Sequence, residues 1–376
     1  MKKVLFVFGT RPEAIKLAPL ILKFRENNNF ESRICVTGQH KEMLEQVLRI
    51  FNINPDYDLR IMKENQSLFY ITSETLKKLE TVLIKEKPDL VIVQGDTTTT
   101  FVASLSAYYQ KIKIAHVEAG LRTEDKFNPF PEEINRRLTD CIADFYFAPT
   151  ERAKENLLKE GVRKDRIFVT GNTVIDALLI ILDKQKEPKV QREMEEKFLK
   201  RYGITFERRT ILVTGHRRES FGRDFEEICY GLKMIAENSD AQIVYPVHLN
   251  PNVQKPVKRI LRDTKNVYLI EPLDYYTFVW LMNRSYIILT DSGGIQEEAP
   301  ALAKPVLVMR KKTERPEGIE AGVAKLVGTE RESIFRETMK LLNSEEDYKK
   351  MAQAKNPYGD GFASKRILEI LERENF

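Results

Sequence analysis

The chain has few of the residues that stabilise small secreted proteins or build metal centres. Its 376 residues include three cysteines, Cys35, Cys141 and Cys229, and no CxxC pair. This distribution argues against a disulfide framework or a structural zinc site and predicts a reducing compartment, the cytoplasm. The four histidines are equally sparse and no two of them have helical metal-binding spacing, so no metal site is expected.

Long apolar runs are also missing, and none approaches the ~18 residues that a membrane-spanning helix needs. Residues 1–8 resemble a signal peptide, but their apolar stretch is too short and Gly9 ends it, so they are predicted to form the first strand. The net charge of +5 comes from 61 basic and 56 acidic residues, which are interleaved on the predicted helices. A solvated surface explains this pattern better than a nucleic-acid-binding stripe, and neither nucleic acid nor membrane is an expected partner.

Strand-like and helix-like segments alternate through almost the whole chain. Apolar runs predict strands at 4–8, 32–37, 90–94, 112–117, 145–147, 167–169, 210–214, 242–246, 267–270, 286–289 and 305–308. Most are apolar on both faces, which is typical of parallel strands covered by helices, and amphipathic helices such as 67–87 and 225–236 fill the gaps. The pattern predicts an α/β protein of two doubly wound units. The charged segment that begins at Asp183 places their junction upstream of it, near Asn172.

Ligands of such sheets bind beyond the carboxyl ends of the strands, so the polar residues there are the best site candidates. The strand at 286–289 is followed by Ser292, Gly293 and Gly294, and a helix is predicted from Ile295. A helix start of this kind gathers free N–H groups and a partial positive charge, which suits a phosphate. Glu298, one turn later, suits the hydroxyl groups of a ribose. A simple capped helix explains the same residues, and the motif alone does not decide between the two.

Cations follow two other predicted strands. Arg11 and Lys16 lie near the helix start after the strand at 4–8, where both can meet phosphate oxygens. An ordinary helix start with a solvated arginine is the alternative for this segment. Arg310 and Arg315 follow the strand at 305–308, on the same edge as the glycine turn, and favour the diphosphate hypothesis.

Candidates for proton transfer also follow strands. Asp96 comes after the strand at 90–94, Glu118 after 112–117 and His216 after 210–214. Asp96 also suits a helix cap, and Glu132, which starts a predicted helix, also suits the helix dipole. A carboxylate that closes a buried strand, as Glu118 does, is costly unless it is paired or functional. His116, inside the strand, is predicted to be a core histidine. Together these residues indicate an enzyme that acts on a phosphorylated, nucleotide-linked polyol.

Seven motifs, in order, resemble those of the non-hydrolysing UDP-N-acetylglucosamine 2-epimerases: GTRPE at 9–13, GDTTTT at 95–100, HVEAGLR at 116–122, PEE at 131–133, GNTVID at 171–176, GHRRESFG at 215–222 and DSGGIQEE at 291–298. The resemblance runs from residue 1 past residue 361. It implies a glycosyltransferase-B type of fold, in which two Rossmann-like domains face a cleft. The first would comprise 1–172 with a returning helix in 361–376, and the second, UDP-binding domain 173–360. It also implies a cytoplasmic homodimer that supplies cell-surface polysaccharide synthesis, with no metal or nicotinamide cofactor.

Members of this family eliminate UDP across C1 and C2 of the sugar, giving 2-acetamidoglucal, and then add UDP back with the C2 proton on the other face. By resemblance Asp96, Glu118 and Glu132 transfer protons and His216 assists near the phosphates; which carboxylate acts in which half-reaction is not assigned. The resemblance implies that Glu298 binds the ribose of UDP and that Leu273 and Phe278 line the uracil pocket. The full set of expected UDP ligands is Arg11, Lys16, Ser292, Gly293, Gly294, Glu298, Arg315, Leu273 and Phe278.

Some bacterial members bind a second UDP-N-acetylglucosamine as an activator. The positions that match its site are Gln39, Gln66, Glu132, Arg217 and His248. Two further positions depart from that version, because Glu42 stands where a glutamine can occur and Asn65 where an arginine can occur. Allosteric activation is therefore an expectation that these two residues put in doubt.

The same UDP-binding residues allow a glycosyltransferase of the same fold, which would need an acceptor and would release UDP. A hydrolysing epimerase would instead release free N-acetylmannosamine. A non-catalytic UDP-sugar sensor would convert nothing, but the complete set of acid and base candidates argues against it. A nucleic-acid binder, which would retain RNA in a salt-sensitive manner, is the least supported alternative.

Overall fold

The computed structural model describes residues 1–38, 41–63, 66–374 and 376, and of Lys41 and Glu42 only the backbone. These residues form two compact units. Met1–Ala177 and Tyr358–Phe376 make up the first unit, and Leu178–Pro357 the second.

The described part of the first unit is built on a seven-stranded parallel sheet in the order β3-β2-β1-β4-β5-β6-β7. Helices connect successive strands, as parallel pairing requires. In chain order its elements are β1 (Lys2–Phe8), α1 (Arg11–Arg25), β2 (Phe30–Val36), α2 (Lys41–Ile50), β3 (Tyr57–Asp58), α3 (Leu68–Glu86), β4 (Leu90–Gln94), α4 (Thr98–Tyr109), β5 (Lys113–Val117), α5 (Glu132–Ile142), β6 (Phe145–Ala148), α6 (Glu151–Lys159), β7 (Ile167–Val169) and α7 (Thr173–Gln185), within which the chain enters the second unit.

The second unit has a six-stranded parallel sheet in the order β10-β9-β8-β11-β12-β13. Its core lies between this sheet and its helices, with Ile211, Val213, Ile287 and Leu289 fully buried. In chain order its elements are α8 (Pro188–Tyr202), β8 (Thr210–Thr214), α9 (Arg223–Glu237), β9 (Gln242–Pro246), α10 (Pro251–Leu261), β10 (Val267–Ile270), α11 (Tyr275–Arg284), β11 (Ile287–Thr290), α12 (Gly293–Ala301), β12 (Val306–Val308), α13 (Pro316–Glu320), β13 (Ala324–Leu326), α14 (Arg331–Asn343) and α15 (Glu345–Ala352).

The last helix, α16 (Ala363–Arg373), belongs to the first unit and packs against α1. Its first turn is held by the buried carboxylate of Asp176, which accepts backbone N–H groups from Ala363 at 3.2 Å and Ser364 at 2.7 Å. The expected return of the last helix to the first domain is confirmed.

The predicted strands are confirmed with small shifts at their ends, and the prediction was wrong in omitting β3 and β13. These two strands are only two and three residues long and lie at sheet edges, so they carry too little apolar pattern to be recognised. The strand order reverses between β1 and β4 in one sheet and between β8 and β11 in the other. Reversal points of this kind open a crevice at the carboxyl ends of the strands, where ligands bind. None of the described helices combines the length and apolar character that crossing a bilayer requires.

The only tryptophan of the chain, Trp280, lies in the core of the second unit. Its ring is 5.2 Å from that of Phe198 and 4.9 Å from that of Phe206, and its indole N–H donates to Gln191 at 3.0 Å. Tryptophan fluorescence therefore reports on the second unit alone.

Phe198→Ala is expected to lower the free energy of unfolding of the second unit by about 3–5 kcal/mol, because it leaves a cavity beside Trp280. A thermal scan followed by tryptophan emission should show the transition several degrees lower. Leu199→Ala is the matched control, since Leu199 is the next residue of α8 and is 50% exposed. An equal shift in both variants would contradict the assignment of Phe198 to the core.

Candidate functional site

The turn after β1 is held by a capping box at the start of α1. Glu13 accepts the backbone N–H groups of Gly9 at 3.1 Å and Thr10 at 2.7 Å, and Thr10 is the N-cap. This bonding fixes the first turn of the helix. Arg11 is its first residue and is half-buried, so the predicted phosphate ligand does lie at a helix N-terminus.

Glu13 also joins the ends of two neighbouring strands. Its second carboxylate oxygen accepts the hydroxyl groups of Thr97 at 2.8 Å and Thr100 at 3.0 Å, both at the start of α4. Burial raises the pKa of Glu13 above its ordinary value, although all of its hydrogen bonds oppose that effect. The turns after β1 and β4 are therefore fixed relative to each other by one buried carboxyl group.

Asp96, a predicted proton-transfer residue, lies in the turn after β4 and is bound by α5. Its carboxylate is 2.6 Å from the guanidinium of Arg136, and its backbone carbonyl accepts the side-chain amide of Asn135 at 3.0 Å. Glu132 is the first residue of the same helix. Helix α5 thus carries the predicted catalytic carboxylate of Glu132 and also the guanidinium of Arg136, which pairs with Asp96. Sequence reasoning missed Arg136, because its contact with Asp96 joins α5 to the turn after β4 and no sequence spacing indicates it.

Glu118 leaves β5 in the left-handed region, with φ of +71°, which is uncommon for a residue other than glycine. Its side chain is 4% exposed, and its carboxylate accepts hydrogen bonds from Lys16 and Gln94. The sequence indicated that a carboxylate here would be either paired or functional, and the structure shows that it is paired. The cation of the pair is Lys16, which was itself predicted to bind phosphate. Sequence reasoning missed Gln94, the last residue of β4, because its proximity to Glu118 follows from the pairing of β4 with β5.

His116 is the core histidine that the strand pattern predicts. Its Nε2 donates to the Gly95 carbonyl oxygen at 2.7 Å, and its Nδ1 is 2.6 Å from the carboxylate of Asp140. Burial alone would raise the pKa of Asp140, but His116 and Arg122 together hold it below its usual range. Through the Gly95 carbonyl, this network holds the turn after β4 that carries Asp96.

In the second unit, Ser292 is the N-cap of α12, as predicted, and Gly293 is its first residue. A Cβ atom on Gly293 would lie 3.8 Å from the guanidinium groups of Arg217 and Arg315, which is ordinary van der Waals contact. Two cations therefore flank a helix start that has no side chain of its own. Such a start is suited to bind the oxygens of a phosphate.

The other predicted UDP ligands of this unit lie on three neighbouring segments. Arg315 pairs with Glu297, and Glu298 accepts the phenolic hydroxyl of Tyr275 at 2.6 Å. Leu273 and Phe278, both half-buried, lie just before and within α11. Tyr275 was not predicted, because no sequence pattern links it to Glu298.

Not every cation after β12 belongs to this group. Arg310 is buried in ion pairs with Glu219 at 2.6 Å and Glu314 at 3.4 Å. Arg310 is therefore less suited than Arg315 to contact a bound anion directly.

His216 follows β8, and its ring stacks on that of His248 with centroids 5.2 Å apart. Partial burial lowers the pKa of His216 below its ordinary value; Asp291 opposes this effect, while His248 and Arg217 add to it. The imidazole is 43% exposed, so a ligand can reach it.

The positions expected to bind a second substrate molecule are only partly described. Gln66 and Glu132 belong to the first unit, and Arg217 and His248 to the second. Gln39 and Asn65 lie outside the described residues, as does the side chain of Glu42. Among the residues that the structure describes, no group of three or more histidine, cysteine or acidic side chains is arranged to hold a metal ion.

Comparisons with known proteins agree with one another. A family model described as UDP-N-acetylglucosamine 2-epimerase matches residues 22–372. The chain is 56% identical over 373 residues to the UDP-N-acetylglucosamine 2-epimerase of Campylobacter jejuni, which covers 99% of this chain and 97% of that protein. Its structure is similar to that of UDP-GlcNAc 2-epimerase from Neisseria meningitidis bound to UDP-GlcNAc, with a TM-score of 0.92, 52% identity and coverage of 99% and 100%. It is also similar to the Methanocaldococcus jannaschii UDP-GlcNAc 2-epimerase in complex with UDP-GlcNAc and UDP, with a TM-score of 0.82, 38% identity and full coverage of both chains.

The raised pKa of Glu13 predicts a pH-dependent effect on stability. A carboxyl group whose pKa is higher in the folded than in the unfolded state loses stability as pH rises between the two values. Glu13→Gln removes this loss, so its melting temperature relative to the unaltered chain should rise as pH is raised from about 4.5 towards neutrality.

Glu13→Ala is the control for Glu13→Gln. It leaves the backbone N–H groups of Gly9 and Thr10 without their acceptor. Glu13→Ala should therefore be less stable than Glu13→Gln by about 1–3 kcal/mol across the same pH range, since neither variant has the titrating carboxyl group. A melting-temperature difference between Glu13→Gln and the unaltered chain that does not change with pH would contradict the prediction.

Proposed function

Because this chain belongs to the UDP-N-acetylglucosamine 2-epimerase family, we propose that it inverts C2 of UDP-N-acetylglucosamine, giving UDP-N-acetylmannosamine, by eliminating UDP and adding it back. The chain is a UDP-N-acetylglucosamine 2-epimerase; the route and the roles of individual residues are the proposal. The observation that carries it is the position of Asp96 and Glu118 at the ends of two neighbouring strands, with the constrained Glu118 backbone beside Lys16.

The chemistry of C2 explains why elimination is needed. The C2 proton has no adjacent carbonyl group, so removing it alone would leave an unstabilised carbanion. When a base takes this proton while the C1–O bond breaks, the electron pair forms the C1–C2 double bond of 2-acetamidoglucal and UDP leaves as the anion. In the reverse step the same UDP oxygen attacks C1, and an acid delivers a proton to the opposite face of C2.

We assign the proton transfers to Asp96, Glu118 and Glu132. The pairing of Glu118 with Lys16 and of Asp96 with Arg136 supports this assignment, because each carboxylate is held in one orientation by a cation. Positioned carboxylates of this kind can act as general bases or acids. His216 is proposed to assist at the phosphates of UDP.

The second unit is proposed to be the UDP-binding domain. In it Ser292, Gly293, Gly294 and Arg315 bind the diphosphate, Glu298 the ribose, and Leu273 with Phe278 the uracil. The cations that flank Gly293 and the buried Tyr275–Glu298 hydrogen bond support these assignments. Arg11 and Lys16 of the first unit are proposed as further phosphate ligands. UDP held in this way after the C1–O bond breaks is available to add back.

We further propose that the enzyme is a cytoplasmic homodimer that supplies cell-surface polysaccharide synthesis. Activation by a second UDP-N-acetylglucosamine, through Gln39, Gln66, Glu132, Arg217 and His248, is part of the same proposal. The stacking of His248 on His216 supports it, because a ligand that moves one ring acts on the other.

Purified protein given UDP-N-acetylglucosamine in heavy water, without acceptor or added metal, should form UDP-N-acetylmannosamine with deuterium at C2. Glu118→Gln is expected to lower turnover by roughly 10²-fold or more, since it removes a general base or acid. Glu124→Gln is the matched control: Glu124 also has a left-handed backbone, with φ of +64°, but its carboxylate is 78% exposed.

Product analysis separates the alternatives. Release of free N-acetylmannosamine would identify a hydrolysing epimerase, and a requirement for an acceptor with loss of UDP would identify a glycosyltransferase. Epimerised product without deuterium at C2 would exclude the proposed route. Full turnover by Glu118→Gln would exclude the role of Glu118.

Gly293→Ala is expected to raise the dissociation constant of UDP by about tenfold or more. The added methyl group fits within the protein, so the melting temperature should be unchanged, but it occupies the space through which a phosphate approaches the helix start. Isothermal titration with UDP measures the effect. Unchanged affinity would mean that the diphosphate does not bind at this turn.

A further inference from the structure

Asp291, the first residue after β11, reaches across to the turn after β8. Its Oδ2 atom accepts the backbone N–H of His216 at 2.7 Å and that of Arg217 at 2.8 Å. The residue is 1% exposed. One carboxylate oxygen therefore joins the two strand ends at the point where the order of the second sheet reverses.

The other oxygen of Asp291 faces the side chain of His216. This atom, Oδ1, is buried and accepts no hydrogen bond from any residue that the structure describes. It lies 3.5 Å from Nδ1 of His216. If the His216 ring moved by roughly 0.5 Å, the distance from Nδ1 to Oδ1 would be that of a normal hydrogen bond. The movement is favourable because it would give the buried Oδ1 atom a donor.

We propose that Asp291 is a positioning residue, which keeps the proton of neutral His216 on Nδ1 and leaves Nε2 to accept a hydrogen bond or a proton from the ligand. The inference rests on the proposed function, because it concerns the histidine that we place near the phosphates of UDP. The Nδ1 proton is not transferred. When Nε2 takes a proton, the resulting imidazolium is stabilised by the adjacent carboxylate.

Burial and three neighbouring groups determine the charge state of His216. Burial favours its neutral form, Asp291 favours the charged form, and His248 and Arg217 disfavour the charged form, which leaves the pKa lowered. A neutral imidazole has a donor on one nitrogen only, so its chemistry depends on which nitrogen that is. His248 cannot set this choice by donating from Nδ1, because its own Nδ1 accepts the backbone N–H of Asn250 at 3.1 Å.

A purely structural role for Asp291, as a cap of the turn, is the alternative. Asp291→Asn distinguishes the two roles. The two backbone N–H groups require an acceptor, so the amide oxygen takes the place of Oδ2 and the cap is kept. The amide NH₂ group then replaces Oδ1 and donates towards His216 Nδ1, which shifts the proton of the ring to Nε2.

The experiment compares the unaltered enzyme with Asp291→Asn by steady-state kinetics and by nitrogen NMR of histidine-labelled protein. The unaltered enzyme should show His216 protonated at Nδ1. In Asp291→Asn the proton should move to Nε2 and kcat should fall by about 10²-fold or more, as expected for a wrong tautomer, while KM changes by less than about threefold. The limb of the pH profile that belongs to His216 should move to lower pH, because a negative charge that favours imidazolium is removed.

Asp176→Asn is the matched control. Asp176 is also a buried carboxylate that accepts two backbone N–H groups, those of Ala363 and Ser364. Its replacement should leave kcat and the pH profile unchanged. His216→Asn assigns the His216 signal among the four histidines.

Unchanged kcat and tautomer in Asp291→Asn would overturn the inference and leave Asp291 as a cap. Loss of kcat with an unchanged tautomer would also overturn it, because the defect would then arise elsewhere. The tautomer of the unaltered protein is a second test that needs no variant, and protonation at Nε2 would contradict the inference. Failure of the unaltered enzyme to epimerise would refute the proposed function alone, since the nitrogen signals are measured without turnover.

Discussion

Near each point of strand-order reversal, a buried carboxylate accepts backbone N–H groups of the turn that follows a central strand. Glu13 holds the turn after β1 and reaches the threonines that begin α4, and Asp291 holds the turn after β8. Hydrogen bonds to a carboxylate strengthen where water is excluded. They fix the strand ends that carry Asp96 and His216, so the geometry of both candidate catalytic groups depends on them.

The pattern of apolar runs was enough to predict most strands, and therefore the α/β class and the edge on which the site residues lie. Asp96, Glu118, His216 and Ser292 were found because each lies within three residues of the end of such a run. Strand order is not encoded in that periodicity, so contacts between neighbouring strands were missed. Gln94 beside Glu118 and Asp291 beside His216 are of this kind. Roles within the reaction came from the family motifs, since spacing alone shows where a carboxylate lies but not what it does.

Several candidate ligand residues are paired with counter-ions inside their own unit. Lys16 is paired with Glu118, and Arg315 with Glu297. Buried charges are costly unless paired. A phosphate group that bound either of these cations would have to compete with its carboxylate, so its affinity would reflect an exchange of partners. Binding of the anion would at the same time change the surroundings of Glu118, a candidate catalytic group.

The packing of α16 against α1 makes the first unit discontinuous in sequence. Asp176 is synthesised early, but the N–H groups that it binds, those of Ala363 and Ser364, come near the end of the chain. During synthesis on the ribosome, the second unit can complete its core while the first still lacks its last helix. The first unit therefore cannot complete its native contacts until the last residues of the chain have been made, although most of its sheet is synthesised first.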